Sequence, residues 1–456
     1  MENKPEALYD QNWFTARTLE HPRVAYYAYP PDASCAALAA FVSDEILVSD
    51  ELLGHGPAQE RLASRCEPLG SVFDEENPPD GRNIQIWRLR GEQEEADVAE
   101  FVWSFRKDIL ADRSFDPSHI APNHVVIPAP NYHACPWGPP EPPWDDRSTP
   151  DMEEPRVRVA IIDSGWVDDG PARDVVADYV PAAWFGLLPT GAFGWQQPAP
   201  SPLLDPVTNR LLALAGHANH VAGVVAQACR EAKIVVESLN AAFVEANADP
   251  GIPTEAAVAR AFWNQRENDL IHIGFAFTTL PNAPGASLVG GPAPWSLQLV
   301  LDALQKQERE TPFVVSPAGN QNCTVPQYPA AFWPTYDNVV GVGSMRNPGN
   351  RSVFSNHGDW VRCCTEGDDV VSTFITYDGE TEEPEAGPGD LHPTKRFTGW
   401  AAWSGTSFSS PKVTGGLACR KRDGTLQDAW DQLVYDHGQG VGLDMGERLR
   451  HLPPAP

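Results

Sequence analysis

A carboxylate, an imidazole, an amide and a hydroxyl stand at four places along this chain where the neighbouring residues would hold them still. In Ile161-Ile162-Asp163-Ser164-Gly165 an acid closes an apolar run, and Gly165 permits the turn that follows. An Asp buried there needs a hydrogen-bond partner. In Gly216-His217-Ala218-Asn219-His220-Val221-Ala222-Gly223 a glycine precedes small residues, which sets His217 on the first turn of a helix able to approach a sheet closely. Histidine is the side chain whose ordinary pKa suits proton transfer near neutral pH. Val314-Val315-Ser316-Pro317-Ala318-Gly319-Asn320 runs from a strand into small residues and ends on an amide able to donate to a developing oxyanion. In Ser404-Gly405-Thr406-Ser407-Phe408-Ser409-Ser410-Pro411, Ser407 falls at a helix N-terminus, where backbone N–H groups favour negative charge. Taken singly, each has a plainer reading: a turn-capping Asp, a satisfied buried His, a turn Asn, an N-capping Ser. A zinc pair of His217 and His220 is a weak reading, because the spacing is i,i+3 and the Glu of the usual metalloprotease motif is missing.

Stepping along the chain gives the elements that would carry these groups. From Arg156 onward, apolar strands alternate with amphipathic helices. The strands are 157–162, 234–236, 270–273, 313–315 and 339–342; the helices run from Thr254 through Phe262 and from Leu297 through Leu304. That alternation predicts an α/β fold, a three-layer, doubly wound and mostly parallel sheet. Functional groups in such sheets sit at the carboxyl ends of the strands. Residues 1–130 read as a small α+β unit, with strands at 46–48, 84–89 and 125–127 and a helix between 95 and 110. Nine prolines between Pro128 and Pro155 make the next stretch an extended, exposed linker, 131–155 at its narrowest. Residues 379–390 read as an acidic surface loop.

The four segments, in the order Asp, His, Asn, Ser, resemble the subtilisin-like serine proteases (subtilases, peptidase S8 family). The family's D-S/T-G is matched by Asp163-Ser164-Gly165, its H-G-T-H-V-A-G by His217 through Gly223, its A-A-G-N by Pro317 through Asn320, and its G-T-S-M-A-S-P by Gly405 through Pro411. Tyr328-Pro329-Ala330-Ala331 and Phe354-Ser355-Asn356-His357-Gly358 resemble further family stretches, and the likeness spans about 156–420. The resemblance implies that Ser407 attacks a peptide carbonyl, His217 shuttles its proton, and Asp163 holds the imidazole. Asn320 and the Ser407 N–H would form the oxyanion hole. It also implies substrate-binding positions at Gly274, Phe275 and Ala276, at Ala318 and Gly319, and at Gln327, which falls where the family has a pocket-base residue. A polar residue there implies a partly polar P1 pocket. The resemblance further implies that the leading unit is a propeptide, an intramolecular chaperone and inhibitor whose tail, 121–126, lies through the cleft and whose linker is cut. Ala218 and Asn219 replace the usual Gly-Thr. The direct passage from Ala226 to Ile234 leaves no room for the family's calcium loop, so no metal and no cofactor are expected. The long segment 166–215 is a candidate specificity loop.

Composition narrows the partners. Lys+Arg 33 against Asp+Glu 62 gives a net charge of −29, which disfavours nucleic acid and anionic membranes. No apolar run approaches the ~18 residues of a membrane span. The start carries no basic patch leading into an apolar stretch, and the eight cysteines lack CxxC spacing. Reduced thiols and a cytoplasmic setting are therefore expected. The partner expected is a protein or peptide substrate. Two other functions stay open on sequence: a catalytically silent scaffold that binds peptides, and a ligase or cyclase that passes the acyl group to an amine.

Overall fold

The computed structural model describes residues 23–28, 38–91, 97–112, 116–126, 136–138, 155–167, 185–187, 204, 209–211, 214–239, 253–284, 291–347, 350–381, 394–421, 424–438 and 443–444. Most of the expected linker, most of 166–215, residue 127 and most of the acidic loop lie outside these.

The leading unit is an antiparallel sheet backed by helices. Its strands are β1 (Val24–Ala28), β2 (Leu38–Ser49), β3 (Cys66–Ser71), β4 (Ile84–Leu89) and β5 (Ile120–His124). Strand order is β1-β2-β4-β3, with β5 also paired to β2. Helices α1 (Asp50–Leu53), α2 (Gly56–Arg65) and α3 (Val98–Asp112) complete it. Ser49 accepts from the Leu52 N–H and so caps α1. Leu62, Val98, Val102 and Phe105 bury their apolar faces against Ile46, Val48 and Trp87. The expected tail is not free chain. Residues 121–124 pair with β2, Ala121 opposite Leu47 and Pro122 opposite Ile46. The ladder is irregular between Pro122 and His124, the latter opposite Phe41.

The body is a nine-stranded sheet built from β6 (Val157–Asp163), β7 (Phe185–Leu187), β8 (Ala232–Ser238), β9 (Leu270–Ile273), β10 (Phe313–Pro317), β11 (Val339–Asn347), β12 (Asn350–Arg351), β13 (Cys363–Glu366) and β16 (Leu443–Asp444). The order β16-β13-β11-β10-β9-β6-β8-β7 reverses its direction of travel at β6. All pairings are parallel except those of β12 and β16. A separate antiparallel ribbon joins β14 (Val370–Glu380) to β15 (Thr394–Trp403). Helix α4 (His217–Ala228) precedes α5 (Glu255–Asn264), α6 (Trp295–Gln305), α7 (Thr406–Arg420) and α8 (Leu426–Gly438). Helices α4, α7 and α8 cover one sheet face, and α5 and α6 the other, each with its own apolar cluster. The predicted strands and both predicted helices of the body fall within these elements; the strand expected at 125–127 does not, because β5 ends at His124 and Val125 makes only a lone bridge to Thr254.

Both units share apolar surface. Val72, Phe73, Ile84 and Val126 of the leading unit join the cluster of α5 and α6. Conversely, Leu280 of the body sits inside the leading unit's own core. Among the described residues one departs from the expected thiol chemistry: Cys323 is disulfide-bonded, while Cys66, Cys229, Cys363, Cys364 and Cys419 are in no disulfide. Spacing along a chain does not reveal pairing in space. Among the described residues, no helix is long and apolar enough to cross a membrane.

Candidate active site

Asp163 is the last residue of β6, at the point where the strand order reverses, the usual place for a crevice in a doubly wound sheet. It is fully buried, and its Oδ1 accepts the Ser164 N–H at 2.6 Å and lies 2.7 Å from His217 Nδ1. Its Oδ2 has no hydrogen-bond partner. Gly274 explains how the acid fits. A methyl group at that position would stand 2.0 Å from Asp163 Oδ2, so any side chain would displace the carboxylate.

His217 opens α4 after Gly216, which takes the left-handed conformation (φ 79°). Only glycine suits that turn at little cost, and a Cβ there would also strike the Phe374 ring at 2.5 Å. The imidazole lies among three aromatic rings. Phe275 stacks on it at 6.0 Å and 11°, Trp403 meets it edge-on at 5.4 Å, and Phe408 lies 5.3 Å away. With Nδ1 turned to the acid, Nε2 is the nitrogen left to handle a proton.

Ser407 is the second residue of α7 and is buried. Its hydroxyl donates to the Gly274 carbonyl at 3.3 Å. The adjoining Phe408 lies against the His217 ring, and Gly274, whose carbonyl takes the Ser407 hydroxyl, is the residue packed against Asp163 Oδ2. Asn320 is held by its oxygen: Oδ1 accepts from the Thr406 N–H and hydroxyl, each at 2.9 Å. Its buried Nδ2 donates to nothing. An amide N–H that is oriented, desolvated and unsatisfied is what an oxyanion requires, since unpaired buried donors are otherwise costly.

The structure brings Asp163, His217, Asn320 and Ser407 into one buried site, with Gly274 and Phe275 at its floor and Ala318 and Gly319 in the loop that carries Asn320. Ala276 is buried beside them. Gln327 is buried too, and its amide donates to the Thr278 hydroxyl, which places it beside the segment that follows Ala276. Sequence reasoning missed Asn356 as a brace. Its Nδ2 donates to the Ala318 carbonyl at 2.9 Å, and its Oδ1 accepts the Gln321 and Cys323 N–H groups. It also missed Thr406 and the aromatic box.

His220 is structural. Its Nε2 donates to the Val370 carbonyl at 3.0 Å and to that of Ala401 at 3.3 Å, which ties α4 to the ribbon and leaves that nitrogen no lone pair for zinc. Burial pushes its pKa down to about 3, and burial likewise lowers that of His272, whose Nδ1 is 3.0 Å from Thr414 Oγ1, to about 4. Both rings are therefore neutral in the folded chain. Unfolding restores an ordinary value near 6.5, so the unfolded chain takes up protons that the folded one refuses. Stability is whole above that pH and falls as pH drops from 6.5 toward 4 and below. We expect His220→Gln, which keeps a donor for the two carbonyls, to flatten this acid slope by up to one proton. Urea midpoints measured between pH 7 and 4.5 on both proteins check it. Among the described residues no group of three His, Cys, Asp or Glu is placed to hold a metal ion.

A doubly wound α/β sheet that gathers an acid, an imidazole and a helix-start hydroxyl at its carboxyl edge defines a subtilisin-like protein. The profile of the subtilase family matches residues 205–432, half of the chain, and the chain belongs to that family. Thermitase from Thermoactinomyces vulgaris is 32% identical over 102 residues, 22% of this chain. That match spans 28% of thermitase's own length. Among solved structures, the patellamide maturation protease PatA is 18% identical with a TM-score of 0.39, covering 61% of this chain and 84% of its own. A lanthipeptide protease is 18% identical with a TM-score of 0.38, covering 58% and 73%. A cold adapted subtilisin-like serine proteinase is 17% identical with a TM-score of 0.36, covering 62% and 86%.

Proposed function

We propose that this protein is a serine endopeptidase and that residues 156–456 form its catalytic domain. The carrying observation is the buried 2.7 Å contact of His217 with Asp163 beside Ser407 and an unpaired Asn320 amide. In this reading Ser407 Oγ attacks the scissile carbonyl and His217 Nε2 takes its proton. Asp163 keeps the Nδ1–H tautomer and offsets the imidazolium charge. Asn320 Nδ2 and the Ser407 N–H receive the oxyanion. His217 then protonates the leaving amine, and water releases the acyl group. A silent scaffold would be expected to have lost at least one of these groups, and all four are present. A fluorophosphonate probe tests the proposal: it labels the wild type at Ser407, and labelling elsewhere or nowhere overturns it. Asn320→Ala should lower kcat by roughly 10²–10³ with little change in KM, because its amide meets charge that exists only in the transition state.

We propose further that residues 1–130 restrain this enzyme as an intramolecular inhibitor and that the linker is cut on activation. Several contacts support close docking. Arg106 donates to the Leu280 and Pro281 carbonyls, the Trp103 indole donates to Pro281, and Arg260 donates to the Val72 carbonyl at 2.7 Å. His124 Nδ1 lies 2.5 Å from Glu255, and its Nε2 accepts the Leu280 N–H at 2.9 Å. Leu280 follows the 274–276 segment, so the leading unit grips the chain that floors the site. Wild type should convert to a shorter form under active conditions while Ser407→Ala stays full length. N-terminal sequencing then reads the cut, and two equally intact chains would refute self-processing. The P1 pocket is taken to be partly polar through Gln327; a peptide library showing undiminished preference for large aromatics would contradict this.

A further inference from the structure

Residues 136–138 do not wander over the surface. Trp137 and Ala402 of β15 exchange both backbone hydrogen bonds, N–H of Trp137 to Ala402 O at 3.0 Å and N–H of Ala402 to Trp137 O at 2.9 Å. Ala402 is also in register with Val371 of β14 on its other side. Pro136-Trp137-Gly138 thus lies against the outer edge of the ribbon through a single antiparallel bridge at Trp137. Two side-chain bonds fix it. The indole N–H donates to Asp369 Oδ1 at 3.2 Å, and Lys395 Nζ donates to the Pro136 carbonyl at 3.0 Å. The rest of the indole stays open to solvent, 51% exposed for the residue. Asp369 in turn donates its N–H to Ser404 Oγ at 2.8 Å, three residues before Ser407. The docking edge therefore ends at the nucleophile's own loop.

We propose that the outer edge of β15 is a peptide-docking site, filled here by the chain's own Pro136-Trp137-Gly138, and that its external occupant is an extended segment of a protein substrate carrying a tryptophan. The backbone N–H and C=O of an outward-facing edge residue such as Ala402 can pair with any extended chain. Selection comes from Asp369, which accepts an indole N–H that phenylalanine or leucine cannot supply, and from Lys395, which meets the carbonyl one residue earlier. The occupant's being substrate rests on the protease reading; the docking itself does not.

The test uses the full chain carrying Ser407→Ala, so that bound peptide is not consumed. Trp137→Pro removes the docking N–H and the indole together and vacates the edge. Trp137→Ala, which removes the indole's bond to Asp369 and keeps the backbone pair, serves as a second, partly vacated variant should the proline disturb folding. The probe is a fluorescein-labelled Ala-Ser-Pro-Trp-Gly-Pro amide, read by anisotropy. It should bind the vacated chain at least about tenfold more tightly than the chain that keeps Trp137. Replacing the peptide's Trp by Ala, or Asp369 by Gly (which suits that residue's left-handed φ of 51°), should each weaken binding about tenfold. The two changes together should do no more than one alone. Equal binding of Trp and Ala peptides, or no binding to either vacated chain, overturns the site. If the peptide docks as expected but wild type cleaves no peptide at all, the protease reading fails and the site stands.

Discussion

Ser407→Ala should leave a folded protein that neither hydrolyses peptide nor takes a fluorophosphonate label, with kcat down by about 10⁶. The size follows from the lack of a substitute. Ser409 spends its hydroxyl on the Thr406 carbonyl at 3.0 Å, two residues further into the helix. At the helix start the Thr406 hydroxyl is spent on Asn320 Oδ1, and the Ser407 hydroxyl stands against the Gly274 carbonyl. Removing one oxygen costs little packing, so circular dichroism and melting should be near those of wild type. Activity within tenfold of wild type would refute the assignment outright.

Asp163→Asn should be nearly as damaging, lowering kcat by about 10⁴ at neutral pH. Oδ1 of the acid serves two donors, the Ser164 N–H and His217 Nδ1. The amide can keep its oxygen on both, and then the imidazolium has no counter-charge. It can instead turn its NH₂ toward the ring, and then His217 holds the wrong tautomer. Both outcomes slow the same proton transfer, so the loss should appear in kcat and not in KM. Single-turnover kinetics separate the two parameters; a loss confined to KM would show that Asp163 acts on binding.

Much of the body was legible because its signals are local. Apolar runs marked β6, β9, β10 and β11, and Thr254 marked the start of α5, whose Ala257 N–H it accepts. Asp163 and His217 could be read from a strand end and a glycine-preceded helix. What escaped depends on partners far along the chain. Nothing near Trp403 or Phe408 says that they would wall His217, nor that Asn356 would brace the loop of Asn320. The ribbon β14–β15 is long and two-stranded; the turn residues of 379–390 marked its connection as a loop, but β14 runs on through Gly379 and Glu380, which that signal assigns to the loop. Residues 121–124 looked like tail because their partners on β2 lie some 75 positions away. From sequence Gly274 reads only as a substrate-binding position; the distance to Asp163 Oδ2 gives it a further, physical reason.

Leu280 has a bearing on how this molecule comes apart. It belongs by sequence to the body and by packing to its neighbour, with Arg106 and His124 fastened to its backbone on either side. Pulling the leading unit away would bare that leucine and strand a buried guanidinium at the same moment. The two halves are therefore expected to melt together in a single calorimetric transition, and an uncut chain heated slowly should show no early shoulder belonging to its first hundred residues.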